Sequence, residues 1–216
     1  VNIHGKMMNY KSCGMICSLL ELGVDPKHLS DEQKSGIEVL DPSVEVGKEA
    51  LYTLGLDDVI IDIKQTPNRN DFNALWSVAY EVSALLKRDI MIPWKKDYHV
   101  QGSKSSLVIG SETSNCPLFL GKMIGSVKVG PSPEWLKRDL ESVGMKSINN
   151  VVDISNYVMV ETGQPLHFYD ASKLTKTEII VKDQQVGKIK TLDESELDLE
   201  LDDIVITSNG SPIGLA

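Results

Sequence analysis

Apolar and polar positions change period several times along the chain, and each change marks an element. Leu75, Val78, Ala79, Val82 and Leu86 recur at helical spacing and predict the chain's clearest helix. Lys87 and Arg88 follow at its C-terminal end, where positive charge is favoured. Ahead of it, "TPNRND" breaks the pattern. Pro67 biases Thr66 toward extended backbone, and Asn70 or Asp71 can cap the helix. "GPSPEWLKRDLESVG" predicts a second helix, with Ser132 as cap, Pro133 at the first helical position and Gly144 just past the end. A third is expected from about Asn150 to Val160, burying Val151, Ile154, Val158 and Met159.

Strands are predicted at 59–63 ("VIIDI"), at 107–110, across 118–129 ("LFLGKMIGSVKV"), and at 178–182 and 204–207. The last two flank an acidic excursion of hairpin character. Residues 1–25 read as a last strand and a short helix closing a small barrel that starts upstream. Residues 26–58, broken by Pro26, Gly36, Pro42, Gly47 and Gly55, read as loop and short turns. Residues 93–106, "PWKKDYHVQGSKSS", read as a linker. The ending "GSPIGLA" reads as a cut inside an element, and the missing initial Met suggests a piece of a longer chain.

Composition narrows the class. With 216 residues, 41% hydrophobic and 25% charged, the chain is ordinary globular material for one large or two small domains. No run of 18 apolar residues predicts a membrane span, and the N-terminus lacks the form of a signal peptide. Three cysteines, Cys13, Cys17 and Cys116, fit a reducing compartment, hence the cytoplasm. Cys13 and Cys17 have no second Cys/His pair at ligand spacing, so thiols are expected rather than a metal site. A net charge of −9 argues against nonspecific nucleic-acid binding. Segment 183–203, with eight acidic and two basic residues, should repel anions. An RNA partner must approach elsewhere, or be held mostly by a partner chain.

Candidate chemistry concentrates in "INNVVDISNYVMVETGQPLHFYD", residues 148–170. Asn156 and His167 stand on two sides of a Gly-Gln-Pro turn. Taken alone, such residues also suit plainer work: a turn histidine bonding a carbonyl, asparagines as caps, Asp153 capping or pairing. Arg69 suits bracing of a domain interface, and Trp135 suits packing.

The strings "GMICSLLELG", "LGLDDVIIDIKQTPNRNDFNALWSVAYEVSALL", "VKVGPSPEWLKRDLESVGMKSINNVVDISNYVMVETGQPLHFYD" and "IGLA" occur in this order. Together they resemble the β subunit of bacterial phenylalanine–tRNA ligase over nearly the whole chain. The resemblance implies an α+β fold: the end of a tRNA-binding OB-type barrel (1–35), a small α/β domain with one long helix (36–92), the linker (93–106) and an incomplete layered editing domain (107–216). It implies tRNA(Phe) and a synthetase α subunit as partners, in a heterotetramer of two α and two β. ATP and Mg2+ then serve the intact enzyme, whose ligase chemistry sits mainly on the α subunit; no cofactor or metal is expected in this fragment, which is expected to be inactive alone.

The module resembled hydrolyses wrongly made Tyr-tRNA(Phe). A hydrophobic synthetic pocket rejects an added hydroxyl only about 100-fold, so a second, hydrogen-bonding pocket is needed. Hydrolysis of the activated ester then requires a placed water and a stabilised oxyanion, with no protein nucleophile. By resemblance His167 and Asn156, eleven residues apart, serve that site: His167 orients the water or the ester carbonyl, and Asn156 holds the amino acid or the terminal adenosine. Ser155 stands where the family usually has threonine. Lys146 stands where it has an arginine, keeping charge without the bidentate fork. The "IGLA" end, with Ala216, matches the start of a glycine-rich strand lining the pocket; the glutamate that reads the tyrosyl hydroxyl would lie past Ala216. A non-catalytic module binding tRNA and the α subunit is the alternative, and a free-standing deacylase a third, disfavoured by traces of both flanking domains.

Overall fold

Two units divide the chain: Val1–Leu75 with Gly130–Gln164, and Trp76–Val129 with Pro165–Ala216. The computed structural model describes residues 4–26, 29–91, 105–191 and 194–215. The linker expected at 93–106 lies outside them but for Ser105 and Ser106. The elements in order are strands β1 (Gly5–Met7) and β2 (Tyr10–Ser12), helices α1 (Asp31–Ser35), α2 (Ala50–Thr53) and α3 (Leu75–Leu86), strand β3 (Val108–Ser111), helices α4 (Glu134–Ser142) and α5 (Asn150–Thr162), then strands β4 (Glu178–Lys182), β5 (Gly187–Lys190), β6 (Glu196–Leu199), β7 (Val205–Ser208) and β8 (Ser211–Leu215). The class is mixed α+β, as expected.

In the first unit, Met8 and Asn9 both take positive φ, 48° and 69°, and turn the β1–β2 hairpin. Two left-handed residues match the twist of the flanking strands. The short helix expected before residue 25 does not form; residues 19–23 make turns, with Leu22 N–H bonding the Ser18 carbonyl at 3.2 Å. α1 forms instead, on a reciprocal cap: the Ser30 hydroxyl accepts from Gln33 N–H and the Gln33 side chain accepts from Ser30 N–H. α4 buries Leu136 and Leu140, one turn apart, and packs on α5. Each such leucine contributes about 1.5–3 kcal/mol. Trp135 stands edge-on to Tyr157, ring centres 5.6 Å apart.

In the second unit, a four-stranded sheet runs β3-β4-β7-β8, with β3 and β4 parallel and the other pairs antiparallel. β4 alternates: Ile179 and Val181 are buried and join Ile206 of β7 in one core. Val205 of β7 points the other way, into a second core with Ile189 of β5 and Leu199 of β6. All four residues of β7 are therefore buried. Thr207 Oγ1 donates to the Ile180 carbonyl at 2.8 Å and Ser208 Oγ to the Lys176 carbonyl at 3.1 Å, so the buried hydroxyls are satisfied. The acidic excursion is the β5–β6 hairpin. Its inward Ile189 and Leu199 alternate with outward Lys188, which faces Asp198 and lies 3.7 Å from Glu196.

Several expectations are corrected. "VIIDI" and 118–129 form no strand; Val59, Ile60, Ile61, Leu118, Leu120 and Ile124 stay exposed. A strand needs a neighbour for its ladder, and neither stretch has one among the described residues. Asn70 and Asp71 do not cap α3. They lie in a 3-10 turn, and the Asp71 carboxylate takes the Arg69 guanidinium at 3.1 and 2.9 Å. α3 keeps its predicted stripe, yet buries none of it.

Candidate functional site

Helix α5 carries two candidate residues, and both its ends are tightly held. At the start, the Asn149 side chain accepts from the N–H groups of Val151 and Val152, both at 3.1 Å. This satisfies two of the donors that every helix N-terminus leaves free. Asn150 bonds Gly130 twice: its N–H donates to the Gly130 carbonyl at 2.9 Å, and its side-chain oxygen accepts from Gly130 N–H at 3.1 Å. At the end, Gly163 takes a left-handed φ of 79° and its N–H reaches the Met159 carbonyl.

Asp153, in the first turns of α5, is fully buried. Its carboxylate accepts from Ser132 Oγ, from Ser147 Oγ at 2.6 Å and from Ile148 N–H at 2.9 Å. Burial alone would raise its pKa. The hydrogen bonds from Ser132, Ser147, Ile148 and Asn149 outweigh burial and hold the group below its ordinary value. Ser132 is thus taken from its expected role: α4 has no side-chain cap, and Pro133 stands at the cap position. Sequence reasoning missed this buried acid as an organising group. The one signal for it is an aspartate set between the apolar Val152 and Ile154.

Ser155 and Asn156 follow on the same helix, both half-buried. The Asn156 carboxamide makes no hydrogen bond to any described residue, so its donor and acceptor are open to a ligand. Lys146 is exposed, in the loop that leads into α5. α5 itself differs from expectation in burial: Val151, Val158 and Met159 are half-buried and Ile154 is exposed.

His167 belongs to the second unit, in the irregular stretch after the Gly-Gln-Pro turn, and its imidazole is exposed. Tyr169, two residues on, packs against the core of Ile179, Val181 and Ile206. Asp170 then caps a 3-10 turn, accepting from Ser172 N–H at 3.0 Å and its hydroxyl at 2.7 Å. β8, which ends at Leu215, contributes Gly214 beside Tyr169. Ala216 lies outside the described residues. Lys146, Ser155 and Asn156 therefore share the first unit, and His167 shares the second with β8. Cys13, Cys17 and Cys116 are free thiols. Among the described residues no helix is long and apolar enough to cross a membrane.

Residues 115–216 match the B3/4 domain family. The chain as a whole is similar to phenylalanine–tRNA ligase β subunits, bearing out the resemblance carried by its motifs. It is 40% identical over 216 residues to that subunit of Geobacillus kaustophilus (strain HTA426), covering 98% of this chain and 27% of the relative. It is 39% identical to that of Bacillus cereus, with the same coverage. Against that of Lactococcus lactis subsp. lactis (strain IL1403) it is 39% identical over 215 residues, again 98% and 27%. The chain thus spans about a quarter of the length of the curated relatives it matches.

Proposed function

We propose that this chain is a region of a phenylalanine–tRNA ligase β subunit that binds the charged end of tRNA(Phe) and hydrolyses mischarged Tyr-tRNA(Phe). The observation that carries the reading is the likeness along 98% of the chain to that subunit, together with the open carboxamide of Asn156 on a helix anchored at both ends. In the reaction, a water oxygen bonds to the ester carbonyl carbon and its proton is released. The carbonyl oxygen carries negative charge until the bond to the terminal ribose oxygen breaks. That oxygen takes a proton, and tyrosine leaves.

His167 orients the attacking water or the carbonyl. Asn156 holds the amino acid or terminal adenosine, Ser155 adds a hydroxyl, and Lys146 attracts the tRNA backbone. Directional hydrogen bonds suit this step because they act on charge that appears only as the ester is attacked. The domains proposed are a barrel end over 1–35, a small α/β domain over 36–92, and an editing domain over 107–216. Amino-acid ligation, with its ATP and Mg2+, is assigned to the α subunit in a cytoplasmic assembly of two α and two β, and no residue of this chain is assigned to hold either cofactor.

The deciding experiment is deacylation of Tyr-tRNA(Phe) by the full-length α/β enzyme, wild type and His167→Ala, with phenylalanine activation measured in parallel. Slowed deacylation with intact activation supports the reading. Equal loss of both makes His167 a structural residue, and a wild type that leaves Tyr-tRNA(Phe) intact favours the non-catalytic binding module.

A further inference from the structure

No helix or ladder holds His167. Two residues on, Tyr169 packs against the core cluster of Ile179, Val181 and Ile206. Burial pushes its phenol above the usual pKa, as expected for a hydroxyl turned away from water.

That hydroxyl abuts β8. A Cβ built on Gly214 would lie 2.8 Å from the Tyr169 oxygen, closer than real Cβ atoms come. The next atoms, the ring carbon bearing that oxygen at 3.8 Å and Ile206 Cβ at 4.0 Å, are ordinary contacts. Gly214 is not in the left-handed region, so its backbone suits any residue. The demand for glycine here therefore comes from one oxygen atom of Tyr169. Because the half-buried ring packs against that core, moving the oxygen aside shifts the tyrosine out of its contact. Asp170, the next residue, is held by its cap on Ser172, while the chain on the other side of Tyr169, which bears His167, lies outside any helix or strand.

We propose that Tyr169, seated on Gly214, is a positioning residue that sets where His167 stands. This rests on the editing role proposed above. A side chain at position 214 should push the tyrosine hydroxyl outward and carry the imidazole off its line to the water. A displacement near 1 Å can cost up to about 100-fold in rate.

The test uses the full-length β subunit assembled with its α subunit, and follows single-turnover deacylation of Tyr-tRNA(Phe). Gly214→Ala is expected to slow the step by about 10- to 100-fold, with little change in the charged-tRNA concentration giving half-maximal rate. The double variant Gly214→Ala with Tyr169→Phe removes the offending oxygen, and should recover to the rate of Tyr169→Phe alone. A Gly214→Ala enzyme as fast as wild type overturns the inference. So does a loss that Tyr169→Phe does not restore, or one matched by equal loss of phenylalanine activation. His167→Ala, run alongside, separates the two ideas. If it deacylates at the wild-type rate, the editing role itself fails and takes this inference with it. If it is slow while Gly214→Ala is fast, only the positioning role is lost.

Discussion

The hydroxyl of Ser132 donates to the carboxylate of Asp153, 21 positions further along the chain. The same carboxylate gathers Ser147 and the Ile148 N–H. One buried acid thus ties together the stretch leading into α4, the loop that bears Lys146, and the first turns of α5.

Removing that acid should be costly. Asp153→Ala leaves Ser132, Ser147, Ile148 and Asn149 without their shared acceptor in a buried place, where each unsatisfied group costs about 1–3 kcal/mol. Unfolding in urea should show a loss of about 3 kcal/mol or more, against a far smaller change for Ser132→Ala with the other donors still paired. Equal midpoints for wild type and Asp153→Ala would rule out an organising role.

The same group predicts a pH dependence. The folded pKa of Asp153 lies below its ordinary value of 3.8. A depressed carboxylate contributes stability that is fully present above the unfolded pKa and is lost as pH falls through the folded one. The gap between wild type and Asp153→Asn should stay level above about pH 5, then narrow as pH falls below 3.8. A gap that widens on acidification contradicts the assignment.

Gly163 closes α5 with φ at 79°, and a Cβ there would meet the Ala74 Cβ at 3.0 Å. Gly163→Ala should destabilise by about 1–2 kcal/mol from the left-handed backbone alone, before the contact is counted. A thermal melt decides it; an unchanged midpoint would mean the turn relaxes freely.

At the proposed site, Asn156→Ala should slow Tyr-tRNA(Phe) hydrolysis in the assembled enzyme by about 10-fold or more and leave phenylalanine activation alone. Because the Asn156 side chain bonds no described residue, the melting temperature should barely move. A large stability loss would show that the amide is structural.

Lys188 offers a contrast. It faces Glu196 and Asp198 on the exposed hairpin, where such pairs contribute about 0–1 kcal/mol. Lys188→Ala should fall within that range, and the difference should fade in high salt. A loss as large as that of Asp153→Ala would overturn the ranking of buried over surface charge.

Elements whose signals were local proved readable. β4 runs over 178–182 as expected, because its apolar and polar residues alternate. α4 is bounded as Pro133 and Gly144 suggest, and α5 overruns its expected end by only two residues. Readings that needed a distant partner failed. "VIIDI" is apolar enough for a strand but has no ladder among the described residues, and Ser132 has the look of a cap until Asp153 takes its hydroxyl. Of the candidate site, the residue types were visible and their roles came from resemblance. The contact of Tyr169 with Gly214 joins positions 45 apart, which no local pattern announces.

β7 has one core on each face, with Ile206 turned to the first and Val205 to the second. Its amides should therefore exchange with solvent more slowly than any others in the second unit. Loosening the acidic hairpin strips one face and loosening β4 strips the other, so neither can open far without the strand between them. The two cores of that unit should melt as one event rather than two.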